Sequence, residues 1–242
     1  MVELLVILPV MLLLIFGTIQ FALIYHAKIT LNYAAFEAVR AGTLNCDKKY
    51  QDYDKRCTSD VGQFDAVKEG FARGLAPLYS YFEPDSEKRA EMKNAALNQV
   101  EAYQQGRARI FNEFESKNDL IRIERLNPTV QAFSDFAKDE VIPNDNLMYR
   151  SKNSRGISKM SIQDANLLHL RFTYWYPLHV PLVNKLMFDR FICCKGMEGS
   201  SFCKWAKDPV CQGDEPRIPL TSTSVMRMQT PVENSHKYYS PR

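Results

Sequence analysis

The first forty residues separate from the remainder by pattern alone. From Leu4 to Tyr25 an apolar run is interrupted only by Pro9, Gly17, Thr18 and Gln20, and no formally charged side chain stands between Glu3 and Lys28. A helix over that stretch rises roughly 33 Å, enough to cross the hydrocarbon core of a bilayer. A cleavable secretory signal would carry a basic n-region, a shorter apolar core and a small-x-small cleavage site. The run lacks the basic n-region and is too long, so the expectation is a membrane helix. Beyond it, Ile29, Tyr33, Phe36 and Val39 recur at helical spacing, with Lys28, Asn32 and Arg40 on other faces. Gly42 supplies a stop signal. The pattern predicts one continuous helix from the lipid into the head of the protein.

Two further helical periods follow. Phe64, Val67, Phe71, Leu75 and Leu78 mark an amphipathic helix, with Asp60 available as its cap and Pro77 placed to end or kink it. Met92, Ala96, Val100, Tyr103, Ile110 and Phe114 mark a second, over roughly Ser86 to Ser116, in which Gly106 costs about 1 kcal/mol. Both stripes read as core. The period then changes to two: Ile121 and Ile123 alternate with Arg122 and Glu124 in a short strand. TVQAFSDFAKDE reads as a brief helix and NDNLMYRSKNSRG as a polar loop. In NLLHLRFTYWYP, Leu168, Leu170, Phe172, Tyr174 and Tyr176 share one strand face, and His169, Arg171, Thr173 and Trp175 the other. RIPLTSTSVMRMQ is a last strand, which Pro219 confines to an edge or a late start. The tail ENSHKYYSPR reads as loosely ordered. The fold class is α+β: a long N-terminal hydrophobic helix (1–43) continuing into a head (44–242) of helices and a small antiparallel sheet.

Composition narrows the function classes. With 31 basic against 28 acidic side chains and no long Lys/Arg cluster, nucleic acid is not an expected partner. The four histidines (His26, His169, His179, His236) have no metal-ligand spacing, and there is no Gly-rich phosphate loop or Gly-x-Ser-x-Gly elbow. No catalytic residue, metal or cofactor is therefore assigned, and the chain is not read as an enzyme.

Six cysteines set the compartment. Cys46 and Cys57 bracket a polar loop just after the long helix, and a disulfide between them would be worth on the order of 3 kcal/mol. Cys193, Cys194, Cys203 and Cys211 form a second cluster with three possible closures; the adjacent Cys193 and Cys194 are expected to reach to Cys203 and Cys211 rather than to each other. Zinc is the competing use, but the cluster has no Cys-x-x-Cys spacing and no histidine. Disulfides place the head in an oxidising compartment. Lys28 and Arg40 would nominally keep their side of the span cytoplasmic, and the cysteines override that rule.

With these residues in view, MVELLVILPVMLLLIFGTIQFALIYHAKITLNYAAFEAVRAG resembles the TadE-like pilus-assembly proteins. The resemblance rests on the Val2-Glu3 pair, Leu8-Pro9, Asn32, Ala35 and the run Ala38-Val39-Arg40-Ala41-Gly42; DANLLHLRFTYWYPLHVPLV and IPLTSTSVMRMQTP are similar to strand-forming parts of longer members. It implies a type IV pilin-like or pseudopilin subunit. Such a subunit sits in the bacterial inner membrane with a periplasmic head, is cut by a prepilin peptidase, and packs with other pilin subunits into an extracellular filament through an assembly platform. A carboxylate beside lipid costs roughly 2.5–3.5 kcal/mol at a helix centre and less near an end. Glu3 therefore either sits at the headgroup interface or pairs with a neighbouring subunit's N-terminal amine and sets axial register, and the resemblance favours the second. Pro9, Gly17, Ala22, Tyr33 and Phe36 are the residues expected to pack helix against helix, the small ones by permitting close approach. The alternative is a single-pass anchored adhesin or receptor that is never polymerised.

Overall fold

The computed structural model describes residues 2–44, 62–80, 95–115, 120–137, 141–189, 216–234 and 238, with the side chains of the first helix from Ile7 onward. Six helices, α1 (Val2–Leu44), α2 (Gln63–Tyr79), α3 (Ala95–Glu115), α4 (Val130–Phe136), α5 (Ile162–Ala165) and α6 (Val183–Met187), are described. Five strands accompany them: β1 (Ile121–Asn127), β2 (Val141–Ile142), β3 (Leu167–Pro177), β4 (Arg217–Arg227) and β5 (Val232–Glu233). The fold is α+β, as the pattern predicts. β1, β3 and β4 form an antiparallel sheet with β3 in the middle, and β2 pairs with β5 in a separate ribbon.

α1 is a single helix of 43 residues with Pro9 inside it. It runs through Gly42 rather than stopping there. A Cβ at Gly42 would press into Val67 and Leu168, so this glycine serves close packing and not termination. In its last described turn α1 is tied to the chain after β4: the amides of Gln229 and Thr230 donate to the Thr43 carbonyl at 3.0 and 3.3 Å.

α2 begins after Gly62, whose extended backbone caps it with no side-chain bond, so the expected Asp60 cap, which lies outside the described residues, is not the N-cap. Pro77 stands inside the last turn and the helix ends two residues later. The α1–α2 contact is made of small residues. A Cβ at Gly70 would fall 2.7 Å from the Glu37 carbonyl oxygen and 2.9 Å from the Ala38 Cα, and one at Gly74 would overlap the Ala34 backbone. Side chains therefore do not hold the helices apart; backbone touches backbone over Ala34, Ala38 and Ala41. α3 repeats the device at Gly106, which lies against the Ala76 carbonyl at the end of α2. The glycine that weakens α3 as a helix thus seats it.

These helices lie on one face of the sheet. Phe71 stacks on Phe172 with ring centroids 5.0 Å apart, and Phe114 meets Phe71 edge-on at 5.7 Å. Leu168, Leu170, Phe172, Tyr174 and Tyr176 all face this core, as the alternation predicts. The opposite face is also partly covered. Trp175 is buried there with Leu120, Leu178 and Phe188, because the chain after β3 folds back over it. Arg122 and Glu124 are buried rather than wet, with Glu124 paired to Arg171 at 3.3 Å. In the tail, Tyr238 is buried against Phe64 (4.9 Å between centroids) and Arg125, so that residue is ordered by packing.

A largely buried polar cluster ties the layers together. Tyr79 donates to Glu113 Oε2 at 2.6 Å and contacts the Tyr174 hydroxyl, while Arg217 pairs with Glu113 Oε1 at 3.6 Å. Burial first, and neighbouring acidic groups after it, push both tyrosine hydroxyls well above the ordinary phenol range, so each keeps its proton.

The polarity of the head along α1 is fixed at both ends. The Val180 amide donates to the buried Gln20 Oε1 at 2.9 Å near the apolar half of α1. At the far end, beside Thr43, the Met228 amide donates to the Asn166 carbonyl, Asn166 Nδ2 reaches the Pro143 carbonyl and Gln163 Nε2 the Leu147 carbonyl. The loop over 143–160 therefore caps the pole opposite the apolar run.

The glycine contacts make a direct prediction. Gly→Ala in an unobstructed helix adds up to about 1 kcal/mol. Gly74→Ala should instead lower stability by about 1–3 kcal/mol, the range for overpacking, because the obstructing atoms are backbone. Gly17→Ala, with open space around it, should be neutral or stabilising. Thermal unfolding of the detergent-solubilised full chain, followed by circular dichroism, compares the two.

Candidate assembly surface

Helix α1 carries two apolar faces of opposite character. The face turned to the head is built from Ala27, Leu31, Ala34, Ala35, Ala38, Val39 and Ala41, all buried. The face turned away is large and exposed: Phe21, Tyr25, Ile29, Tyr33 and Phe36 follow one another at spacings of three and four and so line one side. Tyr33 is 56% exposed and Phe36 45%, although both stand beside the folded head and not below it. Of the predicted stripe Ile29–Tyr33–Phe36–Val39, only Val39 turns inward. Small residues win the inner face because the glycines of α2 admit backbone contact there, and bulk is left outside.

Exposure continues from Ile7 through the apolar run. From Ile7 to Phe36 the helix advances about 44 Å at the α-helical rise, well beyond a hydrocarbon core of roughly 30 Å. By length and composition α1 can cross a membrane, and it is described as one uninterrupted helix.

The edge of this surface is polar. Lys28 donates to the Thr221 carbonyl on the outer edge of β4, and Asn32 Oδ1 accepts from the Ser222 hydroxyl at 2.9 Å. With Phe36 and Thr223, these groups border a shallow cleft of about 560 Å³ between α1 and β4. Ser222 is buried, so its bond to Asn32 fixes α1 sideways against the sheet.

The predicted assembly residues fall as follows. Glu3 lies in the first turns of α1, its side chain outside the described residues, and Pro9 lies within the helix. Gly17 has nothing within 4 Å of a Cβ position, and Ala22 is exposed with Tyr33 and Phe36. Gly17, Ala22, Tyr33 and Phe36 thus meet no close packing from the head. The six cysteines, Cys46, Cys57, Cys193, Cys194, Cys203 and Cys211, lie outside the described residues. Sequence reasoning missed Gln20, Lys28 and Asn32, the polar residues that register α1 on the head; their signal was polarity at helix positions facing neither lipid nor a charged partner. Among the described residues there is no group of three or more His, Cys, Asp or Glu side chains placed to hold a metal ion.

Residues 1–40 match the sequence model of the family described as TadE-like protein. The match takes in the apolar run, both faces of the following helix and Asn32, and it stops before the head. No curated protein and no solved structure matches the chain.

The two faces should respond differently to truncation. Asn32→Ala leaves the buried Ser222 hydroxyl without its acceptor and should cost about 1 kcal/mol. Tyr33→Ala, on the open face, should stay within about 0.5 kcal/mol of the parent. Denaturant unfolding of the full chain in detergent measures both.

Proposed function

We propose, on the premise that residues 1–40 are a TadE-like segment, that this chain is a pilin-like subunit of a Tad-type or related type IV-like pilus. One observation carries the reading: the exposed apolar face of α1 outruns a bilayer core and continues beside the head as Ile29, Tyr33 and Phe36. Lipid can cover the first part of that face. The second part needs apolar protein, and the same face of other subunits is the partner this reading assigns. Before assembly the chain sits in the bacterial inner membrane with its head in the periplasm; assembly withdraws α1 from lipid and packs it among other helices, with prepilin peptidase and an assembly platform as expected partners.

In this scheme the segment 1–43 is the filament-core helix and 44–242 the displayed head. Glu3 pairs with a neighbouring subunit's N-terminal amine, which repays the cost of a carboxylate at the apolar end and sets axial register. Gly17 and Ala22 let neighbouring helices approach closely. Cys46–Cys57 and the four later cysteines, paired among themselves, brace the head outside the cytoplasm. The role is structural, without catalysis.

The experiment is to shear cells and blot the released material against the membranes. This chain is expected in the sheared fraction; retention entirely with the membranes would instead indicate an anchored adhesin or receptor. Phe36→Asp, which puts a charge into the contact and leaves the protomer's own core untouched, should reduce the sheared signal at least tenfold, roughly the loss for one buried, unpaired charge. Glu3→Ala should reduce it too while the head stays folded, and unchanged filaments would remove the register role.

A further inference from the structure

The segment Pro181–Phe188 sits beside the wrong part of α1 for an element that lives in water. Its Val183 and Met187 face Leu13, Gly17 and Phe21 across an apolar cleft of about 490 Å³. Leu13 lies ten residues beyond Glu3, about 15 Å along the helix, and Gln20 about 26 Å. With the Glu3 carboxylate at one edge of a core roughly 30 Å thick, Leu13 is at mid-depth and Gln20 still inside the far edge.

The segment is made for that depth. Leu182 is 77% exposed and Leu186 48%, while Val180, Val183 and Phe188 anchor it inward. Most of the amides in and just before it are bonded within the protein, which lowers the cost of placing such a loop in lipid. The amide of Val180 donates to Gln20 Oε1, those of Val183 and Asn184 to the carbonyls of Pro181 and Val180, that of Lys185 to Asn184 Oδ1 and that of Leu186 to the Leu182 carbonyl. Thr18, the hydroxyl in the facing wall, is bonded to the Ile15 carbonyl at 2.8 Å. Leu182, at φ +66° and ψ −55°, is the centre of the tight γ-turn that the Val183 amide closes on the Pro181 carbonyl, a rare and strained conformation that here carries an exposed leucine. Lys185 is exposed and long enough to reach headgroups from a shallow position.

We infer that Pro181–Phe188 is a membrane-dipping wedge: Leu182, Leu186 and the cleft against α1 take up lipid acyl chains of the leaflet on the head side, so the head is seated in the bilayer rather than suspended above it. The inference rests on the reading that α1 crosses a membrane. Lipid is the occupant because the wedge is continuous with the span of α1 and lies within its depth.

The test places benzoylphenylalanine singly at positions 11, 149, 182 and 186 of the full chain, reconstitutes each protein in phosphatidylethanolamine–phosphatidylglycerol vesicles, and measures photo-adducts by mass spectrometry. All four native side chains are exposed, so the replacements do not disturb the core. Position 11 reports the span of α1, and position 149, in the loop at the opposite pole, reports water. Acyl-chain adducts at 182 and 186 should be comparable to those at 11 and about tenfold above those at 149, the ratio for one leucine-sized group partitioned into lipid. Adducts at 11 with 182 and 186 no better than 149 would overturn the wedge and leave the span intact. Absence of adducts at 11 would remove the span and the wedge together. Crosslinks from 182 to a second copy of the chain in place of lipid would also overturn it, in favour of contact between subunits.

Discussion

Everything in the head depends on how closely two helices approach. Gly70 and Gly74 of α2 remove the side chains that would separate it from Ala34 and Ala38 of α1, and backbone meets backbone. Many weak dispersion contacts accumulate over such a flat interface, and none of them requires a large residue. With α2 held there, Phe71 reaches Phe172 and the sheet packs beneath both helices. The same economy frees the large apolar residues of α1 to face outward. A helix that bound its own head through Tyr33 and Phe36 would have mostly alanines to offer anything else.

Sequence pattern disclosed the elements better than their faces. The apolar run, the period of α2 and the alternation of β3 are each strong and repeated, and each element lies where its period put it. β2 and β5, two residues apiece, are too short for any periodicity to register. The pattern did not say which face of α1 meets the head, because hydrophobic size was the signal, whereas the deciding factor was the absence of side chains on a helix more than thirty residues away. Gly42 was misjudged for the same reason: its close neighbours, Val67 and Leu168, are remote in sequence. The burial of Trp175 on the second face of β3 depended on a return of the chain that no local pattern encodes. Of the candidate surface, Tyr33 and Phe36 were legible as apolar residues in helical register, but their exposure was not.

Several polar groups of α1 register it on the head. Gln20 holds the Val180 amide, Lys28 the edge of β4, Asn32 the Ser222 hydroxyl, and the Thr43 carbonyl receives the turn after β4. These contacts are spread over more than twenty residues, so the head cannot pivot on α1 without breaking several together. Rigid coupling of that kind transmits the position of the helix to the surface of the head, whether its surroundings are lipid or other helices.

The contact between Lys28 and Thr221 has a consequence for crowding. β4 is one of the two outer strands of its sheet, and an exposed strand edge is a template for pairing with any neighbour. Pro219 withholds an amide from β4 and Lys28 occupies a carbonyl on its outer edge. Heads brought side by side thus meet an edge with fewer free hydrogen-bonding groups and a fixed positive charge on its border. Edge-to-edge pairing with a second copy is thereby disfavoured.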